Sequence, residues 1–325
     1  MKRTPLFFPL GLALVAMSFA GCQKDEVALQ PLTSTKTAAI AGNVNLAAVT
    51  LNGWMNQLSD NLSVSALSIP GTHDSGARFE PIGGTAKCQN LTIAEQLNAG
   101  VRFLDIRCRH IDNAFAIHHG SIYQNMNFDD VLNAVIGFLN SNPGETVIMS
   151  VKEEYDASNT TRSFEATFDT YVQKNPSKWY LGATIPTLGQ VRGQIVLLRR
   201  FGATATPKGI AATSWADNTT FSINNPGANL RIQDQYQVPD NNVKWTNLTN
   251  LFTEAQNGDQ STLYVNFASG YKPLIFGIPS ITSVSDNINP KLDNYFGTST
   301  HARYGVIPMD FVTADRATKV LSTNF

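Results

Sequence analysis

Ser68-Ile69-Pro70-Gly71-Thr72-His73-Asp74-Ser75-Gly76 joins an apolar run to a turn that carries a histidine and an aspartate. The run from Leu62 to Ile69 is short and meets turn chemistry at Pro70 and Gly71, which predicts a strand over 62–69. His73 and Asp74 then fall just past the strand's carboxyl end, where catalytic side chains collect in α/β barrels. Histidine gives and takes protons near neutrality, with an unperturbed pKa of about 6.5. Fixed beside a carboxylate on a tight turn, it suits a general acid or base. A histidine that merely caps the next segment has the same local sequence.

Outward from this stretch, short apolar strands alternate with helices, as βα units do. Helices are expected at Leu51 to Leu58, Ile93 to Ala99 (closed by Gly100), Phe128 to Asn140 (broken by Asn142-Pro143-Gly144) and Phe164 to Val172. Strands are expected at Val101 to Arg107, Ala114 to His118, Thr146 to Lys152, Gln194 to Leu198, Leu230 to Gln233, Leu263 to Phe267 and Tyr304 to Ile307. Nearly every strand ends in a charged or polar residue: His73, Asp105 and Arg107, His119, Lys152, Arg200, Asp234, Asp310. A parallel barrel brings such ends to one rim. Scattered surface charge explains any one of them but not their recurrence.

The chain of 325 residues suits one large α/β barrel or two modest domains. With 42% apolar and 15% charged residues it has the makings of a sizeable core, and a net charge of −1 argues against nucleic-acid binding through a broad basic surface. Met1-Lys2-Arg3 followed by the apolar run Leu6 to Phe19 is a targeting segment, set aside from fold reasoning and too short to span a membrane as a mature helix. It ends at Ala20-Gly21-Cys22, similar to the lipobox of bacterial lipoproteins, and Gln23-Lys24-Asp25-Glu26 resembles a surface-export tag of Bacteroidetes lipoproteins. Residues 1–21 are therefore expected to be a signal peptide, Cys22 the lipidated first residue, 22–50 a tether and 51–325 the catalytic barrel. That reading puts the mature protein on the outer membrane, with the export tag pointing to the surface and ordinary secretion as the alternative. Two further cysteines, Cys88 and Cys108, in an exported chain suggest a disulfide. It would close a loop of about 20 residues, worth roughly 3 kcal/mol; two buried thiols are the alternative.

A rim so composed has a definite chemistry. His73 and His119 offer a base and an acid, Arg107 a permanent bidentate phosphate ligand, and Asp74, Asp105 and Asp310 orient histidines or hold hydroxyls. Lys152 and Arg200 add cationic donors. The set suits phosphoryl transfer by acid–base catalysis. No HExxH or cysteine–histidine zinc spacing occurs. Since neighbours on a strand face opposite ways, only one of His118 and His119 is expected at the rim. His110 and His301 read as surface residues.

Ile69 to Gly76, Gly100-Val101-Arg102-Phe103-Leu104-Asp105-Ile106-Arg107 and Ile117-His118-His119-Gly120 closely resemble bacterial phosphatidylinositol-specific phospholipase C. The resemblance runs on in order through Met149 to Tyr155, Ile195 to Arg200, Gln233-Asp234-Gln235-Tyr236 and Tyr264 to Phe267, covering roughly residue 50 to the C-terminus. It implies a single irregular, incompletely closed TIM-type (βα) barrel and a monomer acting on phosphatidylinositol membranes, including glycosylphosphatidylinositol anchors. It implies cleavage to diacylglycerol and inositol 1,2-cyclic phosphate without a cofactor or metal. His73 would be the base, held by Asp310; His119 the acid, assisted by Asp74; Arg107 would neutralise the phosphate. Asp105, Lys152, Arg200, Asp234 and Tyr236 would face inositol.

Glu153 departs from the family, standing where a second lysine is common, and the wording of 269–290 differs from the best-known members. Leu274, Ile275 and Phe276 read equally as a membrane-dipping loop or as a short core strand. Two rivals remain: a metal-dependent glycerophosphodiesterase on the same barrel, against which Arg107 argues, and a non-catalytic surface module that binds inositol phosphates or glycans.

Overall fold

The computed structural model describes residues 49–274 and 277–325. The leader 1–21, Cys22, nearly all of the tether, and Ile275 and Phe276 lie outside them. No helix among the described residues is long and apolar enough to cross a membrane.

The chain begins with β1 (Ser68–Thr72), α1 (Ile93–Asn98), β2 (Phe103–Ile111), β3 (Ala114–His119), β4 (Ile122–Asn127), α2 (Phe128–Ser141) and β5 (Val147–Glu153). It continues with α3 (Phe164–Lys174), β6 (Trp179–Tyr180), α4 (Leu188–Val191), β7 (Ile195–Arg199), β8 (Ile210–Ala211), β9 (Thr220–Ile223) and β10 (Leu230–Gln233). Then come α5 (Asn241–Asn257), β11 (Leu263–Asn266), β12 (Lys272–Pro273), β13 (Pro279–Ser280), α6 (Thr282–Gly297), β14 (Gly305–Met309) and α7 (Ala314–Ser322). The main sheet runs β6-β7-β5-β2-β1-β14-β11-β10-β9. Every neighbour along it is parallel except β10 and β9. β9 and β6 are not paired with each other, so the sheet curls into an open barrel of the expected α/β class.

Alternation along the strands divides the core in two. Ile69, Phe103, Ile148, Val196, Leu198, Ile232, Val265 and Val306 point inward and pack with one another. Their neighbours Leu104, Ile106, Met149, Val151, Leu197 and Ile307 point outward and pack with α2, α3, α5, α6 and α7. This period-2 division explains why the strands read as unbroken apolar runs: both faces are covered.

The opening strand sits later than expected. Val64–Ala66 is a single 3-10 turn capped by the Ser63 side chain, and β1 starts at Ser68 and runs through Pro70 and Gly71. Pro70 keeps its carbonyl in the ladder, accepting from the Arg102 amide at 2.9 Å. Gly71 is needed there: a Cβ would lie 3.1 Å from the Phe103 side chain and 3.3 Å from Pro308 Cα. The first expected helix is a 3-10 turn, Trp54–Gln57, whose buried indole donates to Gly100 O at 3.0 Å beneath the barrel.

Two further expectations are overturned. Cys88 and Cys108 are both free and buried. Cys108 points outward from β2 into the sheet–helix layer, while Cys88 packs with Ala77 and Ile281 in a separate small cluster, so the thiols have no shared space in which to bond. His110 is a core residue, not a surface one. β2 continues to Ile111 against α3, and His110 bonds Thr167 Oγ1 at 2.8 Å with its ring edge-on to Phe115 and Phe164. His301 is exposed, as expected.

Candidate active site

The turn after β1 sets the centre. The Thr72 and Ser75 hydroxyls bond each other at 2.7 Å, and Ser75 Oγ accepts from the Asp105 amide at 2.8 Å, tying the turn to β2. Asp74 sits in the left-handed region, φ 39°, which aspartate tolerates better than most residues. A Cβ on Gly76 would meet Ile117 Cγ2 at 2.6 Å, so only glycine lets β3 pass this closely. Gln89 clamps the turn to β14, donating to His73 O at 2.9 Å and Met309 O at 2.8 Å.

Above the turn opens a cavity of about 670 Å³. His73, Arg107, His119, Lys152, Arg200, Asp234 and Tyr236 all line it, although they come from six separate elements or their ends. Asp310 lies behind His73: Nδ1–H donates to Asp310 Oδ1 at 2.8 Å. Arg107 Nη2 lies 2.8 Å from His73 Nε2. A guanidinium has only protons to give, so that nitrogen must be the bare acceptor. The two bonds thus fix one tautomer of His73, with its lone pair facing the cavity. Burial works to lower its pKa, but the charge and hydrogen bond of Asp310 outweigh burial and Arg107 and leave it raised.

Arg107 is hemmed in by carboxylates. Asp105 Oδ2 lies 3.2 Å away, Asp74 Oδ2 3.6 Å and Glu154 Oε1 3.9 Å. Burial works against its charge, but these anions hold its pKa well above the usual arginine range. Burial also opposes ionisation of Asp105, yet Arg107 and Arg200 keep it ionised well below the usual carboxylate range. Asp74 goes the other way. Burial raises its pKa despite Arg107 and His119, and neither carboxylate oxygen has a hydrogen-bond partner among the described residues.

His119 ends β3, and its Nδ1–H donates to Ala86 O at 2.6 Å, with Asp74 Oδ2 at 3.8 Å. The 84–87 loop is held for this contact by Glu80, whose carboxylate accepts the amides of Gly84, Thr85, Ala86 and Lys87. His118 points away from the cavity and packs on Tyr123 at 5.6 Å, so one histidine of the pair reaches the rim. Cys88 Sγ lies 4.0 Å from His119 Nδ1 and within 4.8 Å of a ring nitrogen of His73. Those spans cap the separation of the two nitrogens at 8.8 Å.

The far wall is polar and aromatic. Arg200 bonds Asp105 Oδ1 at 3.4 Å and stacks 3.6 Å over Trp215. The Trp215 indole donates to Asp234 Oδ2 at 2.9 Å. Tyr236 OH donates to Asp217 Oδ1 at 2.6 Å; that bond and partial burial push its pKa up to about 12. Lys152 pairs with Glu154 at 2.8 Å, and Glu154 also accepts the Gly120 amide. Glu153 is exposed and takes no part in the cavity wall. Sequence reasoning left Trp215, Asp217, Tyr271 and Gln89 unassigned. A lone tryptophan in the polar loop Ser214-Trp215-Ala216-Asp217 was the available signal for the first two.

The arrangement resembles known proteins throughout its length. A family model described as phosphatidylinositol-specific phospholipase C, X domain, matches residues 81–201. A Staphylococcus aureus protein named 1-phosphatidylinositol phosphodiesterase is 34% identical over 278 residues, covering 79% of this chain and 87% of its own. A Listeria monocytogenes protein of the same name is 30% identical over 294 residues, covering 85% and 86%. The solved phosphatidylinositol-specific phospholipase C of S. aureus superposes with a TM-score of 0.77 at 32% identity, covering 85% of this chain and 98% of that one. The Listeria structure gives 0.71 at 27%, covering 85% and 100%. An open α/β barrel with these side chains around one cavity, and relatives this similar over nearly their whole length, place the chain in the bacterial phosphatidylinositol-specific phospholipase C family.

Proposed function

We propose that the protein is a phosphatidylinositol diacylglycerol-lyase, a phospholipase C that works by general acid–base catalysis without metal. The observation that carries the reading is Arg107 lodged between the two imidazoles, 2.8 Å from His73 Nε2 and 3.6 Å from the Asp74 carboxylate beside His119. His73 Nε2 takes the proton of the inositol 2-hydroxyl as that oxygen bonds to phosphorus. The bond from phosphorus to the diacylglycerol oxygen breaks, and His119 gives that oxygen a proton. Arg107 leaves His73 for the phosphate and meets the developing charge. Asp310 holds the base in its tautomer, and Asp74 balances the charge of protonated His119. Arg200, Asp234, Lys152 and Tyr236, with Trp215 and Asp217 behind them, offer donors and acceptors suited to ring hydroxyls.

The test is product identity by phosphorus NMR over phosphatidylinositol, phosphatidylcholine and a glycosylated anchor. A cyclic phosphate from phosphatidylinositol and no turnover of phosphatidylcholine is expected; cleavage of the anchor extends the substrate class. Full activity in a chelator is expected, and its complete loss would refute the metal-free reading.

Asp310→Asn should reveal the base in the pH profile. Below its pKa His73 is protonated and idle, so activity climbs as pH rises through a value raised above 6.5. Losing the Asp310 charge leaves burial and Arg107, which both lower that pKa, opposed only by the smaller pull of Asp105. The acid limb of kcat/KM therefore moves to lower pH, while the plateau falls by roughly 10²–10⁴ because the tautomer is no longer held. An unmoved limb would count against His73 as the base.

Membrane contact is assigned to the apolar rim. Ile82 is 66% exposed, and Phe79, Leu274 and Ile278 are 47% exposed each; Ile278 lies between cavity-lining Gly277 and Pro279, and the other three lie on the segments that lead to cavity-lining Thr85 and Gly277. Exposure of Leu274 favours the membrane-dipping reading of its loop over a core strand; Ile275 and Phe276 lie outside the described residues. Ile82→Ser is expected to weaken vesicle binding by about tenfold, since burying such a side chain contributes about 1.5–3 kcal/mol. Unchanged sedimentation with vesicles would exclude Ile82 from the contact. Lipidation at Cys22 would tether this rim to a bilayer, and the mass of the membrane-extracted protein tests it.

A further inference from the structure

Cys88 takes no part in the chemistry above, yet its sulfur sits against both histidines. The thiol is fully buried, 4.0 Å from His119 Nδ1. Asp74 Oδ2 is 3.8 Å from the same nitrogen, and this wholly buried carboxylate has no hydrogen-bond partner on either oxygen. The ligand atoms of Asp74, Cys88 and His119 all lie within 4.8 Å of one another, and so do those of His73, Cys88 and Asp310.

A thiolate, an imidazole and a carboxylate make a zinc donor set. With bonds of about 2.0–2.3 Å, tetrahedral donors stand roughly 3.5 Å apart. Each of the observed spacings, 4.0 and 3.8 Å, is only a few tenths of an ångström longer.

We propose that Cys88, His119 and Asp74 form an inhibitory site for a thiophilic divalent cation such as zinc, occupied in competition with lipid. The inference rests on His119 being the general acid. On binding, the Cys88 thiol proton leaves to solvent as the metal–sulfur bond forms, and the His119 ring bonds the metal through Nδ1 as the neutral tautomer whose proton sits on Nε2. Nδ1 gives up its bond to Ala86 O. No electron is transferred. With Nδ1 on the metal, the ring no longer becomes the imidazolium that protonates the leaving oxygen, so turnover stops until the metal is removed.

Cobalt reports the site without any substrate. The wild-type protein titrated with Co²⁺ is expected to show a thiolate-to-cobalt charge-transfer absorption that Zn²⁺ abolishes, that Cys108→Ser keeps and that Cys88→Ser lacks. Zn²⁺ is expected to inhibit phosphatidylinositol cleavage reversibly on chelation. Cys88→Ser keeps basal activity while its inhibition constant for Zn²⁺ rises by roughly 10–100-fold, at least the cost of losing a partner near a metal. Absence of the cobalt band in the wild-type protein overturns the proposal, as does equal zinc sensitivity of Cys88→Ser. The wild-type spectrum is decisive even if the variant folds poorly. A cobalt band in a protein that does not cleave phosphatidylinositol upholds the metal site and overturns the lyase reading; cleavage without the band does the reverse.

Discussion

His73→Ala is expected to lower kcat for phosphatidylinositol by roughly 10²–10⁴, the contribution of a positioned general base. The side chain has one task that no neighbour takes over. Its Nε2 is the bare nitrogen facing the cavity, because Asp310 holds the proton on Nδ1 and Arg107 has only protons to offer. Burial and the pull of Arg107 oppose protonation, but the adjacent Asp310 carboxylate raises the basicity of the ring above that of free imidazole. Alanine leaves Asp310 buried and unpaired, so melting temperature is measured alongside turnover. Loss of kcat with vesicle binding kept is the expected pattern. A loss under about tenfold would remove His73 from the chemistry.

Arg107→Lys is expected to cost roughly 10²–10³ in kcat with little change in KM, comparable to deleting one donor that serves only the transition state. Lysine keeps the charge that Asp74, Asp105 and Glu154 require, so the fold survives. It loses the planar fork that reaches two phosphate oxygens. Arg107→Ala is the poorer test. It leaves the buried Asp74 without its arginine and Asp105 and Glu154 with Arg200 and Lys152 alone, and breaking a buried pair costs about 3–5 kcal/mol of stability. Near-wild-type kcat in the lysine variant would show that the guanidinium does not meet the phosphate.

Much of the barrel was legible because both faces of its strands are covered. The runs at β5 and β7 are apolar and short, and the charged residues at or just after the ends of β5, β7 and β10 (Lys152, Arg200 and Asp234) mark the rim. The helices of the C-terminal half were not legible. α5, Asn241–Asn257, is rich in Asn and Thr and buries only a narrow stripe, and α6 carries Pro290 in its interior. β1 was placed too early because Pro70 and Gly71, which usually end a strand, here lie inside one. The cysteine pairing failed for a physical reason that spacing does not reveal: successive residues of β2 face opposite sides of the sheet, and Cys108 faces away from Cys88. The residues proposed for catalysis were legible from strand ends and from the family resemblance together. The Trp215–Asp234 and Asp217–Tyr236 contacts depend on a loop that folds back over the rim, and no local pattern announces it.

The central claim is that one imidazole removes a proton from the attacking hydroxyl while the other delivers one to the leaving oxygen. It is tested most directly by giving the enzyme an inositol phosphodiester whose leaving group is a weakly basic phenol, which departs without a proton. His119→Ala should then recover most of the activity it loses on phosphatidylinositol, while His73→Ala stays as impaired as before. Equal impairment of both variants on the two substrates would contradict the division of roles between His73 and His119.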